Sequence, residues 1–204
     1  MISANAIVSL HDELTATWHK TPQNETDQSG SEWLARVARQ HGANFDLWHI
    51  EDEARTPGAS DAELASVKRR IDSTNQLRND LVEELDRALL EWLGPQHLPN
   101  PAAALNSESP GLMIDRLSIL ALKIFHTGEE VHRTDCSQEH AERNRGRLAI
   151  LEEQRADLAN CLDSLWQETL AGTRRFKLYR QLKMYNDPAL NPAIYRKTGS
   201  QLAR

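Results

Sequence analysis

The residues best suited to chemistry lie in His49-Ile50-Glu51-Asp52-Glu53. A histidine titrates near neutrality, and a carboxylate one helical turn on can orient its ring. His49 with Asp52 is therefore the candidate acid/base pair. The competing reading is a histidine that caps a carbonyl or pairs with its helix neighbour, and helical spacing alone favours it. Ser107, Ser109 and Ser118 lack a nucleophile-elbow context, Cys136 and Cys161 lack a catalytic setting, and there is no Gly-rich phosphate loop.

Two metal-binding patterns are present only in part. Helical bundles can hold two ions with Glu residues and Glu-x-x-His pairs. Glu129-Glu130-Val131-His132 offers one such pair and Asp46-x-x-His49 a rough analogue, but Gly128 places the first near a helix end. Glu83-Glu84-Leu85-Asp86, with the acids around His49, gives half of the Mg²⁺-holding carboxylate set of the all-helical nucleotide pyrophosphohydrolases. The Glu-x-x-Glu partner is missing. No metal ligand, cofactor or reaction is assigned.

Anion recognition has more candidates. Asn75, Arg78 and Asn79 interrupt the apolar stripe Leu64, Val67, Ile71, Val82, Leu85, Leu89, Trp92. Asp115, Arg116, Ser118 and Lys123 sit inside the nearly all-round apolar run Leu112–Phe125. Gln154 and Arg155 break the stripe of the last long helix. Buried charges are costly unless paired, so these positions need partners, a ligand, or both. If they coincide in space, Arg78, Arg116 and Lys123 neutralise an anion while Asn75, Asn79 and Asp115 hydrogen-bond it. If they pair with one another instead, they only fix helix register.

The elements that must position these groups are helical. Helices are expected over Ile7–His19, Ser31–Arg55, Ser60–Leu93, Ser109 to about Gly128, and Ser137–Ala171. Ser60 to Glu63 reads as a capping box, Pro110 as a first helical position after Ser109, and Gly172 as a C-cap. No segment sustains period-two alternation, so no strand is expected. The fold class is all-α: one domain, an antiparallel bundle of about five long helices around Leu112–Phe125. Residues 21–30 and 94–108 are irregular connections. A short helix, Arg174–Tyr185, then leads into an extended tail at Asn186–Pro192.

The chain of 204 residues suits a single core. Its net charge of −6 is uneven: from Thr173 onward eight Lys/Arg face one acid, a net of +7 that leaves −13 on residues 1–172. A basic tail on an acidic body most simply docks on it, and no nucleic-acid motif accompanies the charge, so nucleic acid is not an expected partner. The longest apolar run is too short for a membrane span. The first residues lack a basic signal-peptide region, and the two cysteines form no disulfide framework, so a cytoplasmic setting is expected.

Four motifs carry a family resemblance: Asn44 to Arg55, Ile71 to Asp80, Asn106 to Gly111 with Ile114 to Leu120, and Lys183 to Pro188 with Leu190-Asn191-Pro192. Together they resemble a bacterial family known as domain of unknown function 4254, from which Leu112 departs where a small polar residue is commoner. The resemblance implies a bacterial, soluble, mainly helical protein and assigns no catalytic residue. Its genes' frequent company with glycosyltransferase genes points toward sugar-nucleotide or glycan metabolism. The expectation is a polar pocket for a small anionic ligand of the phosphorylated sugar or nucleotide class. The alternative is a non-enzymatic interaction or assembly protein, and a homodimer fits either.

Overall fold

The computed structural model describes residues 2–23, 31–182 and 189–192. Five α-helices dominate: α1 (Ala4–Trp18), α2 (Glu32–Glu53), α3 (Asp61–Leu93), α4 (Pro110–His132) and α5 (Gln138–Leu170). Each opens on a serine, namely Ser3, Ser31, Ser60, Ser109 and Ser137, whose hydroxyl accepts an N–H of the first turn. Such a cap satisfies a donor the helix cannot, worth about 1 kcal/mol. The capping box at Ser60 and Glu63 is present, and Gly172 adopts a φ of 71°, as the end of a helix requires.

α4 packs against each of the other four helices. Its Ile114 and Leu117 are fully buried, beside Ile7, Leu85 and Leu162 of its neighbours. The helix runs four residues past Gly128 because Glu129 to His132 still complete its backbone ladder.

α3 and α5, each 33 residues, are buried only over part of their length. On α3 the buried positions begin at Leu81, while Leu64 and Leu77 are 39% and 49% exposed. The stripe expected to be inward along all of α3 therefore outruns the partners available to cover it. The expected helix from Arg174 does not form over 174–182. Arg174–Arg175 instead make a strand (β2) parallel to Ala104–Leu105 (β1), and Asn106 N–H donates to the Arg175 carbonyl at 2.7 Å. Pairing with another segment satisfies this backbone in place of helical bonds. The tail begins against the bundle, with Phe176 buried and Arg174 ion-paired to Glu168. Expectations for 24–30, 183–188 and 193–204 lie outside the described residues.

The start of α4 is held by a close approach. Gly111 N–H donates to Asp86 Oδ1 at 2.7 Å, and a Cβ on Gly111 would lie 2.7 Å from the Val82 carbonyl oxygen. Only glycine fits there. Gly146, mid-α5, has open space where a Cβ would go. Gly111→Ala is expected to destabilise the protein by about 2 kcal/mol or more, and Gly146→Ala to stabilise it by about 0.5–1 kcal/mol. Urea unfolding of both variants checks the opposite signs.

Candidate functional site

Seven interior polar side chains form one continuous chain. Asp115, 6% exposed, accepts from Gln40 Nε2 at 2.7 Å, Asn44 Nδ2 at 2.9 Å and Arg78 Nε at 2.7 Å, and its second oxygen binds Arg78 Nη2. This is the bidentate geometry in which arginine pairs best with a carboxylate. Asn44 also donates to Ser118 Oγ at 2.9 Å, which leaves the Ser118 hydroxyl to donate to His41 Nδ1 at 2.7 Å. Thr15 Oγ1 spends its proton on the His11 carbonyl, so it accepts from His41 Nε2–H at 3.0 Å. Donors and acceptors thus alternate from α3 through α4 and α2 to α1. Burial pushes His41 down to about 3 and holds His11, stacked on it at 4.6 Å, well below the usual histidine range.

The candidate anion ligands are divided by this arrangement. Arg78 and Asp115 bind each other. Asn79 is half-buried, with its Nδ2 unpartnered, and Asn75 lies a turn away on the same helix. Arg116, one residue from Asp115 and so about 100° round the helix, points outward to Glu108 at 2.9 Å. Lys123, seven residues from Arg116, shares that outer face. The open space is accordingly a groove over the outside of α4, made of three adjoining cavities. One of 290 Å³ is lined by Asp52, Arg55 and Arg78. A second, of 630 Å³, is lined by Arg116, Lys123 and Asp157. The third, of 480 Å³, is lined by Lys123, Asn144, Arg147 and His126. Trp48, Ile119, Lys123 and Gln154 each wall two of these cavities.

His49 and Asp52 part company. Asp52 faces the groove, whereas the His49 ring packs edge-on to Phe45, His19 and His126. Among the described residues no hydrogen bond joins His49 to Asp52 or Glu53, and Glu53 is held by Arg70. Burial, with His19 and His126 nearby, lowers the His49 pKa. Sequence reasoning missed Gln40, His41 and Asn44, although His41 and Asn44 follow Val37 at the spacing of the inward stripe. It also missed His19 and His126, for which no local pattern exists.

The sequence profile of the family described as protein of unknown function, DUF4254, matches residues 34–178. The protein belongs to that family. No curated protein and no solved structure gives a match. No helix among the described residues is long and apolar enough to cross a membrane.

Arg78→Met strands a buried carboxylate and is expected to cost about 3 kcal/mol. Arg116→Met, which loses an exposed pair, is expected to cost under about 1 kcal/mol; thermal unfolding of the two separates interior from surface roles. Because His41 stays neutral in the folded chain and charges in the unfolded one, its contribution is full above pH 6.5 and is lost as pH falls toward about 3. Asp86, lifted by burial to about 6, acts in the opposite sense below that pH. His41→Gln should therefore flatten the acid side of the stability profile, measured as urea midpoints between pH 7 and pH 5.

Proposed function

We propose that this member of the DUF4254 family binds a small anionic ligand, of the phosphorylated sugar or nucleotide class, in the groove outside α4. One observation carries the reading. Lys123 from α4 and Arg147 from α5 face the same 480 Å³ cavity, and neither is ion-paired among the described residues. Glu130, the carboxylate of that cavity, is already engaged by Arg133 at 3.2 Å and His140 at 2.7 Å. Two cations without a carboxylate partner, of which Arg147 also donates to Asn144 Oδ1 at 3.2 Å, and the flat Trp48 ring suit a phosphate attached to a planar or sugar group. The volume lies in the range of small-molecule sites. The adjoining cavity is lined by Asp52, by Arg55, which pairs with Glu51 at 3.1 Å, and by Arg78, which is held by Asp115. The reading is of binding and assigns no bond made or broken.

A second reading, an interaction or assembly protein, draws on the interior network. Asp115 and Arg78 are matched to each other and need no guest, while Leu77 and Ile150 are 49% and 55% exposed on α3 and α5. A second copy could cover such residues.

Thermal-shift measurements with pyrophosphate, ADP and UDP-glucose at low salt distinguish the two. At least one of these ligands is expected to raise the melting temperature. Its affinity should fall about 10–100-fold in Lys123→Met/Arg147→Met, the loss expected for charged hydrogen bonds. No shift with any of the three, or equal affinity in the variant, overturns the binding reading. Concentration-dependent dimerisation in sedimentation alongside that result favours assembly.

A further inference from the structure

Three histidines from separate helices meet at one point. His19 follows the last turn of α1, His49 lies on α2 and His126 on α4, and each offers a ring nitrogen within 4.8 Å of the other two. The tautomers of two are fixed by their surroundings. His19 Nδ1 lies 2.7 Å from the Thr15 carbonyl oxygen, and His126 Nδ1 lies 2.8 Å from Glu129 Oε2. Neither oxygen can donate, the first being a carbonyl and the second an ionised carboxylate, so both Nδ1 atoms carry the proton. Their Nε2 atoms are then bare lone pairs. Both Nε2 atoms are buried, and neither has a hydrogen-bond partner.

Buried lone pairs without a donor are costly in an apolar surrounding. This surrounding is apolar. Phe125 stacks on His19 at 4.3 Å, Trp48 lies flat on His126 at 4.8 Å, and the Phe45 edge meets His49 at 4.5 Å. A histidine held by a carboxylate or a carbonyl through one nitrogen, with the other free, is the usual state of a metal-bound imidazole. Simple aromatic packing would explain stacked rings, but not two fixed tautomers whose other nitrogens are buried without a donor in a cluster of three histidines.

We propose that His19, His49 and His126 bind a divalent transition-metal ion, with Zn²⁺ as the best fit. Neutral imidazoles with no carboxylate among them select zinc and its neighbours over Mg²⁺ or Ca²⁺. At Zn–N lengths of about 2.0–2.1 Å the nitrogens must close to about 3.4 Å apart, a ring movement on the order of 1 Å. Three protein ligands leave a fourth position for water or a substrate atom. His126 also lines the 480 Å³ cavity, so the ion borders the groove. The assignment stands without the anion reading, since none of its ligands depends on Lys123 or Arg147.

Co²⁺ is the probe. The chelator-treated full chain is titrated with Co²⁺ and followed by visible absorption, then Zn²⁺ is added to displace it. One equivalent of Co²⁺ with the intense bands of a four-coordinate site, bleached by Zn²⁺, is expected. His49→Gln and His126→Gln should abolish the bands, while His132→Gln, at an exposed ring bonded to the Gly128 carbonyl, should keep them. Because the histidine variants could disturb packing, Glu129→Gln is the finer test. It leaves all three rings in place and should weaken Co²⁺ binding about 10–100-fold with an unchanged circular dichroism spectrum. No stoichiometric Co²⁺ uptake, or bands in His49→Gln and His126→Gln equal to those of His132→Gln, overturns the site.

Discussion

A carboxylate inside an apolar bundle is the constraint that organises this molecule. Asp115 sits on a helix that packs against all four others, where an unpaired charge would cost several kcal/mol. The bundle answers with Gln40 and Asn44 from α2 and the Arg78 guanidinium from α3. Those donors fix how α2, α3 and α4 rotate and slide against each other, because each bond tolerates only a few tenths of an ångström. Ser118, His41 and Thr15 carry the same registration to α1. α5 is held differently, through Leu158, Leu162, Leu165 and Trp166 in the apolar core.

This saturation decides where function can reside. Asp115 accepts four hydrogen bonds and leaves a guest molecule little to bind. The groups with capacity to spare lie outside it. Lys123 and Arg147 line open space, and His19 and His126 each keep a buried nitrogen without a partner where they meet His49. Trp48 joins the two regions: it walls the groove on one side and stacks on His126 on the other. The proposed ligand site accordingly lies on the outer face of α4, which the interior polar chain helps to hold in place.

Much of this was legible in the residues themselves. A serine before each apolar periodic run marks a helix start, and the hydroxyl needs no tertiary partner to act. The apolar run of α4 announced its central position, since a helix without a polar face must be surrounded. That Arg116 and Lys123 share a face apart from Asp115 also follows from 3.6 residues per turn. The start of the tail was misjudged because the strand Arg174–Arg175 exists only through its pairing with Ala104–Leu105, about seventy residues away in the chain.

The sequence by itself determined the helices, their caps, the central place of α4 and the family, because these follow from local geometry and from the pattern of apolar side chains. Tertiary structure alone decided which polar groups meet. Arg78 could have paired with Asp52, Asp86 or Asp115, and helix rotation, not residue type, selected Asp115. His19, His49 and His126 are separated by 30 and 77 residues, and nothing in the chain between them carries their convergence. Only the packing of α1 and α2 against α4 places their rings within reach of one another.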